Sequence, residues 1–306
     1  MQNTGTKILN CDKIQYRILR ACYRWAPFDL RGGLLPQQNL PRTNIVSCLI
    51  VSNKLLLLEG LLSSLTQQTL SKDDFEVVVV FDWPGKEVLV LVEEYKEYLN
   101  IRLHQITQPV RILSDLRNLS VSLSSGEFLL FLDDDTRILQ KDYLKSALAI
   151  FHESNADVLI PQAGALFGIL RTHYDFLDRF SFAGRCSFYR RKTLEELGGF
   201  LTGLYAYEDI ELSIRLMMKK PRVVLAESLN YYHPPLYFDS MRKPLAIGQA
   251  IFQMRQHYSF FVWLLVYINA LRFLPYGLIP GQRYRHWFKI SLGVLLYPLT
   301  GKSYYY

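Results

Sequence analysis

Three consecutive aspartates, Asp133, Asp134 and Asp135, directly follow the apolar run Phe128-Leu-Leu-Phe-Leu132. Such an uninterrupted run predicts a strand buried on both faces, as in a parallel sheet covered by helices. Ligands bind just beyond the carboxyl ends of these strands, so the aspartates would emerge at a binding edge. Adjacent carboxylates repel one another, and a divalent metal with phosphate oxygens is the common remedy. The alternative is a strand that ends in an acidic turn.

A second acidic pair, Glu208 and Asp209, opens a helix predicted over Tyr205–Lys220, after a glycine-rich turn. The helix dipole stabilises negative charge in a first turn, which by itself explains such a pair. His233 stands in the sequence Tyr-Tyr-His-Pro-Pro. Taken alone, it is either a loop histidine or a metal ligand.

The elements that must position these residues alternate between strand and helix. Besides the run before the aspartates, the predicted strands are Asn44–Ser52, Glu76–Phe81 and Ile101–Gln105. The predicted helices are Leu55–Thr69, Glu87–Tyr98, Asp115–Leu123 and Lys141–His152. This alternation predicts an α/β fold with a right-handed doubly wound sheet. Neither glycine-rich phosphate loop motif occurs, so a metal on the aspartates would have to hold phosphates.

Charge is unevenly distributed along this globular chain. Residues 1–42 carry a net charge of +5, residues 43–240 carry −6, and residues 241–306 carry +8 without any Asp or Glu. An acidic body therefore lies between two basic ends. The four cysteines show no paired spacing, and the first forty residues contain no signal peptide pattern. We therefore expect a cytoplasmic protein with free thiols.

Residues 44–235 resemble family 2 glycosyltransferases of the GT-A fold, which have a mixed, mostly parallel doubly wound sheet. The resemblance lies in sequence blocks that occur in the family's order: Asn44–Asn53 and Phe75–Asp82 as nucleotide-binding strands, Arg117-Asn118 with Ser125-Gly126-Glu127, the DxD motif Asp133–Asp135, Arg190–Phe200 and Tyr207–Leu212. A DxD motif alone is weak evidence, whereas ordered blocks at the family's spacing are specific.

The resemblance implies an inverting hexosyl- or N-acetylhexosaminyltransferase that uses a nucleoside-diphosphate sugar, with a UDP-sugar expected. Asp135, with Asp133 and His233, would bind Mn²⁺ or Mg²⁺ and so support the diphosphate leaving group. Asp209 would be the general base for the acceptor hydroxyl, and Glu208 would belong to the same catalytic pair.

The resemblance also implies the residues that hold the nucleotide: Asn53, Asp82, Arg117, Asp133 and Asp134. The chain departs from the family pattern at Trp83-Pro84, where the family commonly has Gly-Ser, so the base is left open. Gly184 and Arg185 are candidates for contacts with the donor sugar. The Q-x-x-R-W motif of processive synthases is absent, so we expect transfer of one sugar per encounter.

The basic ends of the chain raise the question of a membrane. Residues 241–306 contain 15 aromatic residues, and their apolar segments Phe260–Leu271 and Ile290–Leu299 are shorter than the ~20 residues that span a bilayer. They fit a helical, interfacial anchor on the anionic cytoplasmic face of a membrane. Such an anchor would suit a polyprenyl-linked or other saccharide acceptor in polysaccharide biosynthesis for the cell envelope. The alternative is a helical cap that packs on the catalytic domain or on a second subunit.

Three segments follow from these patterns: a basic extension over residues 1–42, a catalytic domain over 43–240 and the helical region 241–306. Asp12–Trp25 in the extension predicts a basic amphipathic helix that packs on the catalytic domain or joins the membrane surface.

Other functions are possible for an aspartate cluster. A phosphohydrolase or phosphotransferase would use a nucleophilic Asp in D-x-D-x-T, but Thr136 is one position too early. A nucleotidyltransferase normally needs a glycine-rich loop on its first strand. A non-catalytic nucleotide- or nucleic-acid-binding protein is suggested by the basic ends, but the acidic middle argues against nucleic acid as a partner.

Overall fold

In a computed structural model, the chain is described over residues 5–35, 44–83, 85–108, 112–165, 179–182, 186–233 and 240–300. Within these ranges eight strands form one sheet: Thr6–Ile8 (β1), Val46–Ser52 (β2), Phe75–Phe81 (β3), Ile101–Gln105 (β4), Phe128–Asp133 (β5), Val158–Ala165 (β6), Cys186–Arg190 (β7) and Val223–His233 (β8). The same ranges contain ten α-helices: Ile14–Trp25 (α1), Leu55–Leu65 (α2), Lys86–Tyr95 (α3), Leu113–Ser122 (α4), Tyr143–Ser154 (α5), Arg191–Glu196 (α6), Glu208–Met218 (α7), Arg242–Met254 (α8), Phe260–Leu271 (α9) and Gln282–Thr300 (α10).

The strand order in the sheet is β1-β8-β6-β7-β5-β2-β3-β4. β2 pairs in parallel with β3 and β5, β3 with β4, and β6 with β8, whereas β1 and β7 run antiparallel to their neighbours. The predicted mixed, mostly parallel sheet is therefore confirmed. Because six strands point the same way, their carboxyl ends meet at one edge of the sheet.

Alternate residues of the central strands enter two different apolar layers. In β2, Cys48 and Ile50 pack with α2, α3 and α5, while Leu49 packs on the other side with α4 and α7. All seven residues of β3 are buried, as its unbroken valine run predicted. The sheet thus has helices on both faces, which makes it doubly wound.

Several element boundaries differ from those predicted. β4 and α9 match, but the helix predicted from Tyr205 begins at Glu208, because Tyr207 lies in the left-handed region with φ of 72°. α10 covers Gln282–Thr300 rather than Ile290–Leu299 alone. β1, β6, β7, β8, α6 and α8 were not predicted.

Both basic ends contact the central part of the chain. β1 adds an edge strand to β8, and α1 packs against α7 and α9. α8 and α10 approach closely at Gly293, where an added Cβ would collide with the carbonyl oxygen of Pro244. The division into three segments stays a prediction.

One apolar segment is longer than predicted. Among the described residues, Phe260–Leu278 is a 19-residue helical stretch with a mean hydropathy of 1.4, which is sufficient in length and composition to cross a membrane. The prediction that both C-terminal apolar segments are too short is therefore wrong for this one. The stretch is α9 followed by a 3₁₀-helix at Leu274–Leu278, and 33% of its apolar window is buried inside the chain.

Candidate active site

The carboxyl edge of the sheet collects the predicted residues from four strands. Asn53 follows β2, Asp82 follows β3, Asp133 ends β5 and His233 ends β8. In the strand register, Val51 of β2 lies beside Asp133 of β5. The parallel topology therefore brings together residues that lie up to 180 positions apart.

Two aspartates and one histidine form a group that can hold a metal ion. One potential ligand atom from each of Asp133, Asp135 and His233 lies within 4.8 Å of the others. The His233 Nε2 atom is 2.8 Å from Asp135 Oδ1 and 3.8 Å from Asp133 Oδ2. His233 is only 1% exposed, so its imidazole is held in place by packing. Two carboxylate oxygens with one imidazole nitrogen fit a divalent cation, and Mn²⁺ accepts both ligand types.

Asp134, the middle aspartate, lies outside this group. Its Oδ2 atom accepts a hydrogen bond of 2.8 Å from the Ser52 hydroxyl. Burial raises the pKa of Asp134 to about 6, although the Ser52 hydrogen bond acts in the opposite direction. The three aspartates thus divide into two potential metal ligands and one residue that ties β5 to the end of β2.

Arg117 of α4 connects the aspartate cluster to the second acidic pair. Its Nη2 atom lies 3.1 Å from Asp133 Oδ1 and 3.2 Å from Glu208 Oε1. The guanidinium carbon is 5.8 Å from the ring centre of Phe131 and 5.6 Å from that of Phe200. Burial lowers the pKa of Arg117, but the Glu208 and Asp133 carboxylates outweigh burial and raise it overall. The aromatic rings and the two carboxylates fix this cation in one position.

Glu208 and Asp209 have different environments although they are neighbours at the start of α7. Glu208 is 4% exposed, and burial raises its pKa to about 7 against the opposing effect of Arg117. Asp209 is partly exposed, and its Oδ1 atom accepts a hydrogen bond of 2.8 Å from the Ile210 N–H. Asp209 is therefore the accessible carboxylate of the pair, whereas Glu208 is paired inside the protein.

The predicted nucleotide contacts after β2 and β3 also lie at this edge. The Asp82 N–H donates a 2.8 Å hydrogen bond to the Ser52 carbonyl oxygen, and the Asp82 side chain is buried. Asn53 is exposed, and so is the Trp83 ring. Pro84, Gly184 and Arg185 lie outside the described residues, and so do residues 166–178 and 183 of the region 160–190 in which contacts with the donor sugar are expected.

A tyrosine that the sequence did not indicate also belongs to this region. Tyr189 of β7 packs its ring edgewise on Phe131, with ring centres 5.7 Å apart. Its pKa is raised by burial and by the negative charge of Asp209. No spacing signal pointed to Tyr189, because its position depends on β7 pairing with β5.

A buried ion pair holds the helix that carries the acidic pair. Arg215 Nε and Nη2 bind the two Glu211 carboxylate oxygens at 2.5 and 2.7 Å. Its remaining N–H groups donate to the carbonyl oxygens of Leu30, Leu197 and Gly199. Arg215 thereby joins α7 to the glycine turn and to the N-terminal segment.

The chain matches the family described as glycosyl transferase family 2 over residues 48–167. The matched region contains β2 to β5 and the aspartate cluster. The chain carries a family 2 glycosyltransferase domain. The match favours glycosyl transfer over the phosphotransfer, nucleotidyl transfer and nucleic-acid binding considered above.

Curated relatives share part of this domain. Poly(ribitol-phosphate) beta-N-acetylglucosaminyltransferase TarS of Staphylococcus aureus is 39% identical over 100 residues, which are 33% of this chain and 17% of that protein. The cellulose synthase 1 catalytic subunit (UDP-forming) of Komagataeibacter xylinus is 36% identical over 59 residues, 19% of this chain and 8% of that protein. The aligned parts thus span less than a fifth of either relative.

Solved structures confirm the GT-A fold beyond the family 2 domain. S. aureus TarS 1-349 in complex with UDP-GlcNAc has a TM-score of 0.57 at 18% identity, covering 83% of this chain and 92% of that one. The mannosyltransferase PcManGT of Pyrobaculum calidifontis, in complex with GDP-Man and Mn²⁺, has a TM-score of 0.60 at 15% identity, covering 93% and 95%.

Proposed function

We propose that this chain transfers a sugar from a UDP-sugar to an acceptor hydroxyl, with inversion by direct displacement. One observation supports this proposal. The potential metal ligands Asp133, Asp135 and His233 lie next to Arg117 and the acidic pair of α7, at one edge of the sheet that contains the family 2 match. UDP-GlcNAc is the first donor to test, because TarS is named an N-acetylglucosaminyltransferase and has a structure in complex with it.

Asp209 is proposed as the general base because it is the accessible carboxylate of its pair. In the transfer, the acceptor oxygen bonds to the anomeric carbon and its proton passes to Asp209. The bond between the anomeric carbon and the phosphate oxygen breaks, and its electron pair leaves with UDP. An ordinary aspartate is a weak base for an alcohol, so its help comes late in an oxocarbenium-like transition state.

The remaining residues are proposed to hold the donor. Asp133, Asp135 and His233 would bind Mn²⁺ or Mg²⁺, which would offset the negative charge that builds on the leaving diphosphate. Arg117 orients Asp133 through their 3.1 Å contact. Asn53 and Asp82, together with Asp134, are proposed to contact the nucleoside.

We further propose a saccharide or polyprenyl-linked saccharide as the acceptor, with the enzyme peripheral on the cytoplasmic face of a membrane. Exposed apolar side chains and basic groups in the region 241–306 support this contact. A lipid-linked acceptor would then lie in the same surface as the enzyme.

The proposal is tested by incubating the full chain with Mn²⁺ or Mg²⁺ and a panel of nucleotide sugars, and by identifying the released product. Metal-dependent release of UDP from one donor is expected even without acceptor, because water can slowly replace the acceptor hydroxyl. Asp135→Ala and Asp209→Asn should both lose this release. Asp73→Asn, at an exposed carboxylate in the turn before β3, is the matched control and should behave as wild type.

Two outcomes would contradict glycosyl transfer. Release of inorganic phosphate or pyrophosphate in place of UDP would indicate a phosphohydrolase or a nucleotidyltransferase. If no donor turns over, calorimetry with UDP and Mn²⁺ should still detect binding that Asp135→Ala weakens, and absence of that binding would refute a nucleotide-sugar site.

A further inference from the structure

Helix α1 is apolar on two opposite faces. Tyr16 and Leu19 are buried against the rest of the protein. On the other side, Ile14, Ile18 and Trp25 are 66%, 45% and 73% exposed. Their spacing of four and seven residues places all three on one stripe of the helix. A helix on the surface of a soluble protein normally carries polar residues on its exposed stripe. The apolar stripe of α1 therefore indicates a face that contacts a partner.

The exposed stripe of α1 continues onto α9. The Trp25 ring lies 4.3 Å from the Phe261 ring, measured between ring centres. Phe261 and Ile268, two turns apart on α9, are 37% and 55% exposed. We call these five residues, Ile14, Ile18, Trp25, Phe261 and Ile268, the α1–α9 face. The face joins one helix from each basic end of the chain.

Cations lie beside this face, and the two helices that form it contain no acidic residue. Lys13, Arg17 and Arg24 are exposed and occupy one flank of the α1 stripe, as their positions in the helical repeat require. None of the three forms an ion pair with a residue that the structure describes. No Asp or Glu occurs in α1 or α9. An anionic partner is thus favoured, and a second copy, which would bring like charges together, is disfavoured.

Packing decides how α9 can meet a bilayer. Val262 and Val266 are completely buried in the core cluster shared with α1, α7 and α8, and the indole N–H of Trp263 donates a 2.8 Å hydrogen bond to the Ile251 carbonyl oxygen. Crossing a membrane would strip away these contacts. Lying in the interface keeps them and buries only the exposed side.

We infer that the α1–α9 face binds the surface of an anionic phospholipid bilayer, with both helices lying in the interface. This inference deepens the peripheral membrane contact proposed above by adding α1, which supplies the flanking cations and three of the five apolar residues. It does not depend on the transfer reaction.

The test is flotation of the full chain with vesicles of phosphatidylcholine alone and with vesicles that also contain phosphatidylglycerol. We expect binding to the anionic vesicles only, weakened by salt. Replacing Lys13, Arg17 and Arg24 by Gln should lower the partition coefficient between vesicles and water by roughly a hundredfold. This figure follows because each cation near an anionic surface contributes about 1 kcal/mol to binding. Replacing Ile14, Ile18 and Trp25 by Ser should weaken it by about tenfold or more.

The matched control replaces three exposed apolar residues elsewhere, Leu89, Val90 and Tyr98, by Ser, and it should bind as wild type. Failure of wild type to float with anionic vesicles, or wild-type binding by the α1 serine variant, would overturn the inference. So would a dimer in sedimentation velocity that this variant dissociates. UDP release is measured on the same samples without vesicles. Its absence would refute the proposed transfer and leave the α1–α9 face unaffected.

Discussion

Arg117 and Glu208 form an ion pair inside the protein, with 3.2 Å between Nη2 and Oε1. Glu208 immediately precedes Asp209, and Arg117 also contacts Asp133. The pair therefore connects the proposed general base to the proposed metal ligands through one guanidinium group. It also gives two adjacent acids different environments, because Glu208 is buried against Arg117 while Asp209 is partly exposed.

Asp209→Asn is expected to lower kcat for sugar transfer by about 10²–10⁴-fold, since the amide cannot take the acceptor proton. The KM for the donor should change little, because Arg117 and the metal group remain. Steady-state kinetics with the donor that the nucleotide-sugar panel selects measures both quantities. Asp73→Asn serves again as the control, and an Asp209→Asn enzyme with wild-type kcat would exclude Asp209 as the base.

The stability of the protein should depend on pH through Glu208. Burial raises the folded-state pKa of this carboxyl from 4.5 to about 7, so the folded protein binds the proton more tightly than the unfolded chain. The contribution of Glu208 to the free energy of unfolding is therefore present at low pH and is lost as pH rises from about 4.5 to 7. Glu208→Gln lacks this dependence.

Urea denaturation of wild type and Glu208→Gln across that pH range measures the difference. We expect the free energy of unfolding of wild type to fall relative to the variant, by at most about 1.4 kcal/mol per pH unit. Glu196→Gln, at a surface glutamate, should follow wild type. Parallel pH profiles for wild type and Glu208→Gln would show that Glu208 keeps an ordinary pKa.

His233→Asn tests the identity of the metal ligands. The amide offers an oxygen where the imidazole offers a nitrogen, and nitrogen ligands favour Mn²⁺ over Mg²⁺. The variant should therefore lose more affinity for Mn²⁺ than for Mg²⁺, with a loss of about tenfold or more for Mn²⁺. Calorimetry in the presence of UDP measures both affinities. His152→Asn, at a histidine in the last turn of α5, is the control. Wild-type affinity of the variant for both cations would indicate that His233 only packs.

Arg215→Met is expected to destabilise the protein by about 3–5 kcal/mol, because it leaves the Glu211 carboxylate buried without its cation. Adding Glu211→Leu should restore part of that loss, since the pair is then replaced by apolar side chains. Urea denaturation of both single variants and the double variant measures the coupling. If the double variant lost as much free energy of unfolding as the two single variants added together, the pair would not interact energetically.

Local patterns predicted much of the fold and of the site. The observed bounds of β4 and α9 match the predicted ones. A short alternation of apolar residues indicates a strand and a long apolar run indicates a helix, and both patterns are local to their segment. Asp82, Asp133 and Asp135 could be expected at one edge, since carboxyl ends of parallel strands meet there. β7 and β8 were missed because their pairing partners lie far away in the chain.

The α/β alternation, the carboxylates at the strand ends and the basic character of both chain ends could be read from the residue order, because each depends on residues close together in the chain. Three features depend on contacts between distant segments: Asp134 turns to Ser52, Glu208 is buried while Asp209 is partly exposed, and the stripe on α1 stays exposed. No local pattern predicts them, because burial, charge pairing and the exposed face of a helix are set by the segments that pack against each residue. Arg20 of α1 shows this directly, since it donates a hydrogen bond to the carbonyl oxygen of Met217, 197 residues later.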